Sequence, residues 1–216
     1  MQPLYPEFLN YLEEENKEKV LQFVLSKLRS KEIDIVTLYN ELLRPALNDM
    51  KCEGTEEFCI WKEHVRSSII RAVIENCYTY VIQERDEKYK AKTNGEKVMV
   101  ICPTEELHEI GPRMVADFFT LCGYDVIFIG ANTPKKSFLS AIDIIKPVYI
   151  AISVTNYYNL VATQKVIAEI RKQKYKDFKI IVGGHAFDRN PEMYAKMGAD
   201  LLLQTFDDIK KLRGGD

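Results

Sequence analysis

From Lys97 onward, short apolar runs of strand type alternate with helical stretches, and this alternation constrains the fold more than any other feature. The runs fall at 98–102, 126–130, 148–154, 180–182 and 200–203. Helical patterns occupy about 109–122, 135–145, 157–174, 190–197 and 206–213. Strands that alternate with helices build βαβ units, whose parallel strands are buried on both faces. Five strands in this length suit an α/β domain with a flavodoxin-like five-stranded parallel sheet. In such a sheet the ligand crevice lies at the carboxyl ends of the strands, at the switch point beside the first strand.

The turn after the first run carries the candidate chemistry. His108 stands there, with Glu106 two residues before it and Gly111 three after. A carboxylate beside a histidine can take one ring N–H, fix the tautomer and free the other nitrogen for a metal. Two further loops should meet this turn at the same sheet edge. One holds Ser153 and Thr155 after the third run; the other holds Gly183 and Gly184 after the fourth. Read alone, Ser153 and Thr155 suit helix capping and Gly183-Gly184 suits a tight turn. The first turn lacks the G-x-G-x-x-G spacing of dinucleotide sites, and no phosphate-binding P-loop occurs. A receiver domain would need paired acids such as Glu105 and Glu106 with an acceptor Asp, but Ser153 stands at the acceptor place.

Residues 1–91 contain one glycine, Gly54, and are helical in pattern almost throughout. Phe8, Leu9 and Leu12 share one stripe; Val20, Leu21, Val24, Leu25 and Leu28 share a second. Asp34 is placed to cap a third helix, which Pro45 should kink or restart. Thr55 opens a long segment bearing Ile60, Val65, Ile69, Val73, Cys77 and Val81. These segments predict an N-terminal four-helix bundle over 1–91. A polar linker at 92–96 and an α/β domain over 97–216 follow.

The Glu106-x-His108-x-x-Gly111 turn does not stand alone. It continues through Arg113-Met-Val-Ala-Asp-Phe-Phe119 and Gly123-Tyr-Asp-Val126 to Gly130-Ala-Asn-Thr-Pro134. This succession resembles the cobalamin-binding domains of the photoreceptor-like and corrinoid-carrier families. The resemblance implies base-off cobalamin with His108 as the lower cobalt ligand and Glu106 orienting it. It also implies that Ser153, Thr155, Gly183 and Gly184 line the pocket of the displaced nucleotide tail. Leu38-Tyr-x-x-Leu-Leu-x-Pro-Ala-Leu47 and the pair Glu63-His64 are similar to the helical cap of the photoreceptor-like proteins. There the pair faces the upper side of the corrin; without the resemblance, Glu63 and His64 are a solvated helix face. Those photoreceptors carry a Trp ten residues before that Glu, where this chain has Glu53. Its sole tryptophan, Trp61, lies two residues before Glu63 and hence about 200° around a helix from it. The departure leaves the upper ligand open among methyl, adenosyl and hydroxo groups.

Composition narrows the rest. Hydrophobic residues make up 46% and charged residues 29%, as in ordinary globular proteins. A net charge of −2 gives no general attraction to nucleic acid or anionic membrane. No apolar run approaches the roughly 18 residues of a membrane span, and the first twenty residues lack the layout of a secretory signal. Five cysteines at 52, 59, 77, 102 and 122 form no C-x-x-C pair, so free thiols in a reducing cytoplasm are expected. No second catalytic constellation would make the chain an enzyme by itself. The wording around His108 is nearer the photoreceptor-like group, which favours a cobalamin-binding sensor with output through a protein partner or homo-oligomer. The alternatives are a corrinoid methyl carrier serving partner methyltransferases and a scaffold that has lost its ligand.

Overall fold

The structure is a computed structural model that describes residues 4–93, 95–103 and 106–213. Asn94 of the expected linker, Glu105, and the ends of the expected 1–91 and 97–216 spans lie outside the described residues. The chain divides into two compact units, Met1–Lys88 and Tyr89–Asp216.

The first unit is helical. Helices α1 (Leu4–Glu13) and α2 (Lys17–Arg29) are followed by α3 (Ile35–Thr37), a π-helical turn (Leu38–Leu43) and α4 (Arg44–Asn48). Helix α5 (Glu56–Glu87) then runs 32 residues. Most of the expected stripes enter the core: Phe8, Leu12, Val20, Val24, Leu38, Leu42, Ile69, Val73, Cys77 and Val81 are buried, whereas Ile60 is exposed. Asp34 caps α3 by accepting the Thr37 N–H at 2.7 Å. Pro45 stands in the first positions of α4, so the α-helix restarts there as expected, with no break in the helical backbone. Proline lacks an N–H and its ring crowds the carbonyl four residues back. The turn before it widens, so that the Arg44 N–H reaches Tyr39 O, five residues away.

One sequence expectation is corrected here. Cys52 and Cys59 form a disulfide, while Cys77, Cys102 and Cys122 are free and buried. Gly54 breaks the chain between the pair and Thr55 starts α5, which brings their Cα atoms to 5.7 Å, within disulfide reach. Spacing alone did not show that turn.

The second unit holds strands β1 (Lys97–Ile101), β2 (Asp125–Ile129), β3 (Tyr149–Ser153), β4 (Lys179–Gly183) and β5 (Leu201–Leu202). They pair in parallel in the order β2-β1-β3-β4-β5. This is the flavodoxin-like order, with the switch point between β1 and β3. Helices α6 (Ile110–Leu121), α7 (Lys135–Ile145), α8 (Leu160–Ile170), α9 (Met193–Lys196) and α10 (Phe206–Lys211) alternate with the strands. The central strands are apolar throughout because helices cover both faces: Val98, Met99, Val100 and Ile101 are each fully buried. The expected helix over 157–174 is shorter, a 3-10 turn at Tyr157–Asn159 leading into α8.

Candidate functional site

The carboxyl edge of β1 and β3 is built around one buried carboxylate. Glu106 is 1% exposed. One of its oxygens, Oε1, accepts the His108 backbone N–H at 3.2 Å and pairs with His108 Nδ1 at 2.5 Å. The other, Oε2, accepts the N–H groups of Thr155 at 2.9 Å and Asn156 at 3.1 Å, and the Asn159 side-chain amide at 3.2 Å. Burial works to raise this carboxyl's pKa. The hydrogen bonds from Asn156, His108 and Thr155 outweigh it and hold the group below the usual carboxylate range. Glu106 is therefore an anion that ties the β1–α6 loop to the β3–α8 loop.

His108 is the outward end of this arrangement, with a side chain 55% exposed. With Nδ1 committed to a carboxylate, the neutral ring keeps its lone pair on Nε2. Nε2 has no partner among the described residues, so the imidazole is oriented as a metal ligand would be. Cys102, at the end of β1 below this turn, is no competitor. Burial, with the charges of Glu109 and Glu106, pushes its thiol up to about 12, so it stays protonated.

The other expected loops join the same edge. Val154 N–H donates to Gly183 O at 2.9 Å and Ala186 N–H donates to Val154 O at 3.1 Å. These bonds link the β3 and β4 loops. Ser153 and Thr155 are half-buried, and neither caps a helix: Asn156 performs that task by accepting the Tyr158 N–H at 3.0 Å. Their hydroxyls have no partner among the described residues. Gly183 and Gly184 serve close backbone approach. A Cβ on Gly183 would lie 2.4 Å from Leu203 O, and one on Gly184 would lie 2.4 Å from Val154 O.

Gly111 is different, since a Cβ there would meet nothing within 4 Å. Gly111→Ala is accordingly expected to leave the ligand-free fold intact or to raise its stability by up to about 1 kcal/mol, through helix propensity. The added methyl should weaken cobalamin retention if the cofactor uses that open space. Thermal melts alongside equilibrium dialysis separate the two effects.

Glu63 and His64 belong to the helical unit, where both are exposed on α5. Trp61 packs against Phe58 at 5.8 Å between ring centroids, and both rings are about half exposed. His185, directly after the glycines, pairs through Nδ1 with Asp188 at 2.7 Å and is otherwise exposed. Two site residues escaped the sequence reading, Asn156 and Asn159. Their only signal was a pair of turn-forming asparagines just past a strand, which says nothing of the carboxylate they bind.

An open parallel sheet that presents an oriented histidine at its switch-point edge defines a Rossmann-like ligand-binding domain. Residues 96–209 match the B12 binding domain family. The chain belongs to that family, and its cofactor is cobalamin. The residues present suit the group: an imidazole nitrogen for cobalt, open space at Gly111, and two uncommitted hydroxyls. Trimethylamine corrinoid protein 1 of Methanosarcina acetivorans is 28% identical over 159 residues, covering 73% of this chain and 71% of the relative. The protein of the same name from Methanosarcina mazei is 26% identical with the same coverage. Among solved structures, the monomethylamine corrinoid protein of Methanosarcina barkeri superposes with a TM-score of 0.74 at 12% identity. That superposition covers 97% of this chain and 96% of the other. A cobalamin-binding protein from Desulfitobacterium hafniense gives a TM-score of 0.54 at 15% identity, over 99% and 98% of the two chains. These likenesses establish a corrinoid-protein architecture of a helical N-terminal part and a Rossmann-like domain. The curated relatives back the corrinoid-carrier alternative better than the sensor preferred from wording alone.

Proposed function

We propose that this chain is a corrinoid methyl carrier that presents cobalamin to partner methyltransferases. Bound cobalamin supplies the cobalt that takes up and gives up the methyl group. His108 would hold that metal through Nε2, and Glu106 keeps the ring in the required tautomer and position. Asn156, Thr155 and Asn159 fix Glu106, so the ligand is braced from two loops. The hydroxyls of Ser153 and Thr155 bond the displaced nucleotide tail. Gly183 and Gly184 contribute through backbone that lies close to Val154 and Leu203. The roles of Glu63 and His64 rest on the resemblance alone; both are exposed and accessible to a ligand. No described helix is long and apolar enough to cross a membrane, and the proposed setting is the cytoplasm beside the partner enzymes.

The observation that carries this reading is the buried Glu106 anion holding an exposed imidazole whose Nε2 is uncommitted. Kinship with two trimethylamine corrinoid proteins favours carrier over sensor. So does Glu53, standing where the photoreceptors have tryptophan.

Reconstitution with hydroxocobalamin tests the ligand. The wild-type spectrum should differ from that of free cofactor, and His108→Ala should abolish that difference and weaken retention about 10- to 100-fold. Identical spectra for wild type and variant would remove His108 from the metal. Methyl transfer to a thiol acceptor in the presence of a partner methyltransferase tests the carrier, whereas photoconversion on illumination would restore the sensor.

A further inference from the structure

The Cys52–Cys59 disulfide lies in the helical unit, at the amino end of α5. The other three cysteines are buried. Burial pushes the thiols of Cys102 and Cys122 up to about 12 and about 11, which leaves them unreactive. Cys52 and Cys59, by contrast, are both partly exposed. Their bond ties the coil before α5 to the first turns of that helix.

Those turns have little else to hold them. No residue from Glu56 to Val65 is buried, and the first buried side chain of α5 is Arg66. Phe58, Ile60 and Trp61 are 44%, 48% and 51% exposed. Among the described residues they are restrained by the Thr55 cap on the Phe58 N–H at 3.3 Å, the Cys59 N–H bond to Thr55 O at 3.0 Å, the Lys62–Glu15 ion pair at 3.0 Å, the Lys62 ammonium over the Phe58 ring, and the disulfide. Gly54 sits so close to the Phe58 ring that a Cβ there would come within 2.7 Å of it. The disulfide thus holds a coil against an exposed aromatic pair.

We propose that Cys52–Cys59 is a reversible redox site, opened by a dithiol reductant, that latches the aromatic amino end of α5. One thiolate of the reductant attacks a sulfur of the pair and forms a mixed disulfide. The other protein sulfur leaves as a thiolate and takes up a proton. The second reductant thiol then displaces the first cysteine, so the reductant ends as a disulfide and the protein as two thiols. Two electrons and two protons pass to the protein. A purely structural staple is the competing account. Staples act chiefly by restricting the unfolded chain, and short loops such as this one, seven residues in separation, restrict it least. The consequence of opening is therefore local: the coil leaves Phe58 and the first turns of α5 fray.

The full chain supplies its own reporters. Trp61, the single tryptophan of the sequence, packs on Phe58 and reports how the amino end of α5 is packed. Purified in air, the chain should resist alkylation at Cys52 and Cys59 until dithiothreitol is added, after which both are labelled together. Trp61 emission should then shift as its contact with Phe58 loosens, and amides of 56–62 should exchange at least about tenfold faster, a change in local opening alone. Amides of 69–81 should not change, and buried Cys77 should remain unlabelled. Cys52→Ser and Cys59→Ser, made separately, should show the opened behaviour without reductant. Alkylation of both residues before any reductant would overturn the proposal. So would opening that leaves 56–62 unchanged, or opening that speeds 56–62 and 69–81 alike. None of these readouts depends on cobalamin, so their failure is distinct from failure of the carrier reading.

Discussion

Glu106→Ala is expected to lower stability by about 3 kcal/mol and to uncouple two loops. The carboxylate accepts five hydrogen bonds, three from backbone N–H groups of His108, Thr155 and Asn156. Hydrogen bonds to a charged group contribute roughly 1.5–3 kcal/mol each, and stranded donors cost about 1–3 kcal/mol each. Water reaches the exposed side of these loops and offsets part of the sum. For a chain of this length, 3 kcal/mol corresponds to a fall in Tm of roughly 6–12 °C. Glu106→Gln keeps the shape but turns an amide toward donors, and should cost about half as much. Thermal unfolding followed by circular dichroism decides the matter. A variant that melts within about 1 °C of wild type would show that the loops do not depend on this residue.

The same carboxylate carries a pH dependence whose sign is set by its lowered pKa. A carboxyl with a folded pKa below its unfolded value stabilises the fold above the unfolded value, about 4.3. That contribution disappears as pH falls through the folded value. Wild type should lose stability more steeply than Glu106→Gln below about pH 4. Parallel acid-unfolding curves would mean that another group governs the transition.

Gly184→Ala should be the most damaging single-methyl change in the second unit, at about 4 kcal/mol. Its φ of +103° is a conformation that residues with a Cβ rarely adopt, and such strain costs about 1–3 kcal/mol. The new Cβ would also stand 2.4 Å from Val154 O, 2.9 Å from Val154 C and 3.0 Å from Val154 N. Those are backbone atoms of a strand-end loop that cannot rotate away, and overpacking adds about 1–3 kcal/mol. Gly198→Ala is the control. Its φ is +85°, but the nearest atom to its Cβ is Ile167 Cγ2 at 3.5 Å, so only backbone strain should remain, about 1 kcal/mol. Equal losses at the two positions would mean that the β4 loop moves freely and that the contact with Val154 carries no weight.

Much of this architecture was legible beforehand. The strands β1 to β5 start and end within about two residues of the apolar runs, because a doubly covered parallel strand must be apolar at every position and only a few residues long. The stripes of α1, α2 and α5 were equally plain, since a helix packed on one side repeats its apolar residues every three or four positions. Where the reading fell short, the missing information was not local. Five cysteines without a familiar spacing gave no hint that a turn at Gly54 would bring Cys52 to Cys59. Pro45 announced a disturbance in its helix but not its form, because widening to a π turn depends on what the neighbouring helices tolerate.

The residue types and their order settled what kind of molecule this is: an α/β domain with a histidine on its first βα turn, preceded by a helical unit. Periodicity and loop wording are properties of neighbouring residues, and they survive in the one-dimensional string. The bracing of that histidine was decided only in three dimensions. Asn159 is 53 positions from Glu106, and nothing in their separation marks them as partners. They meet because β1 and β3 are adjacent in the sheet, so their carboxyl ends deliver one carboxylate and its donors to a single point.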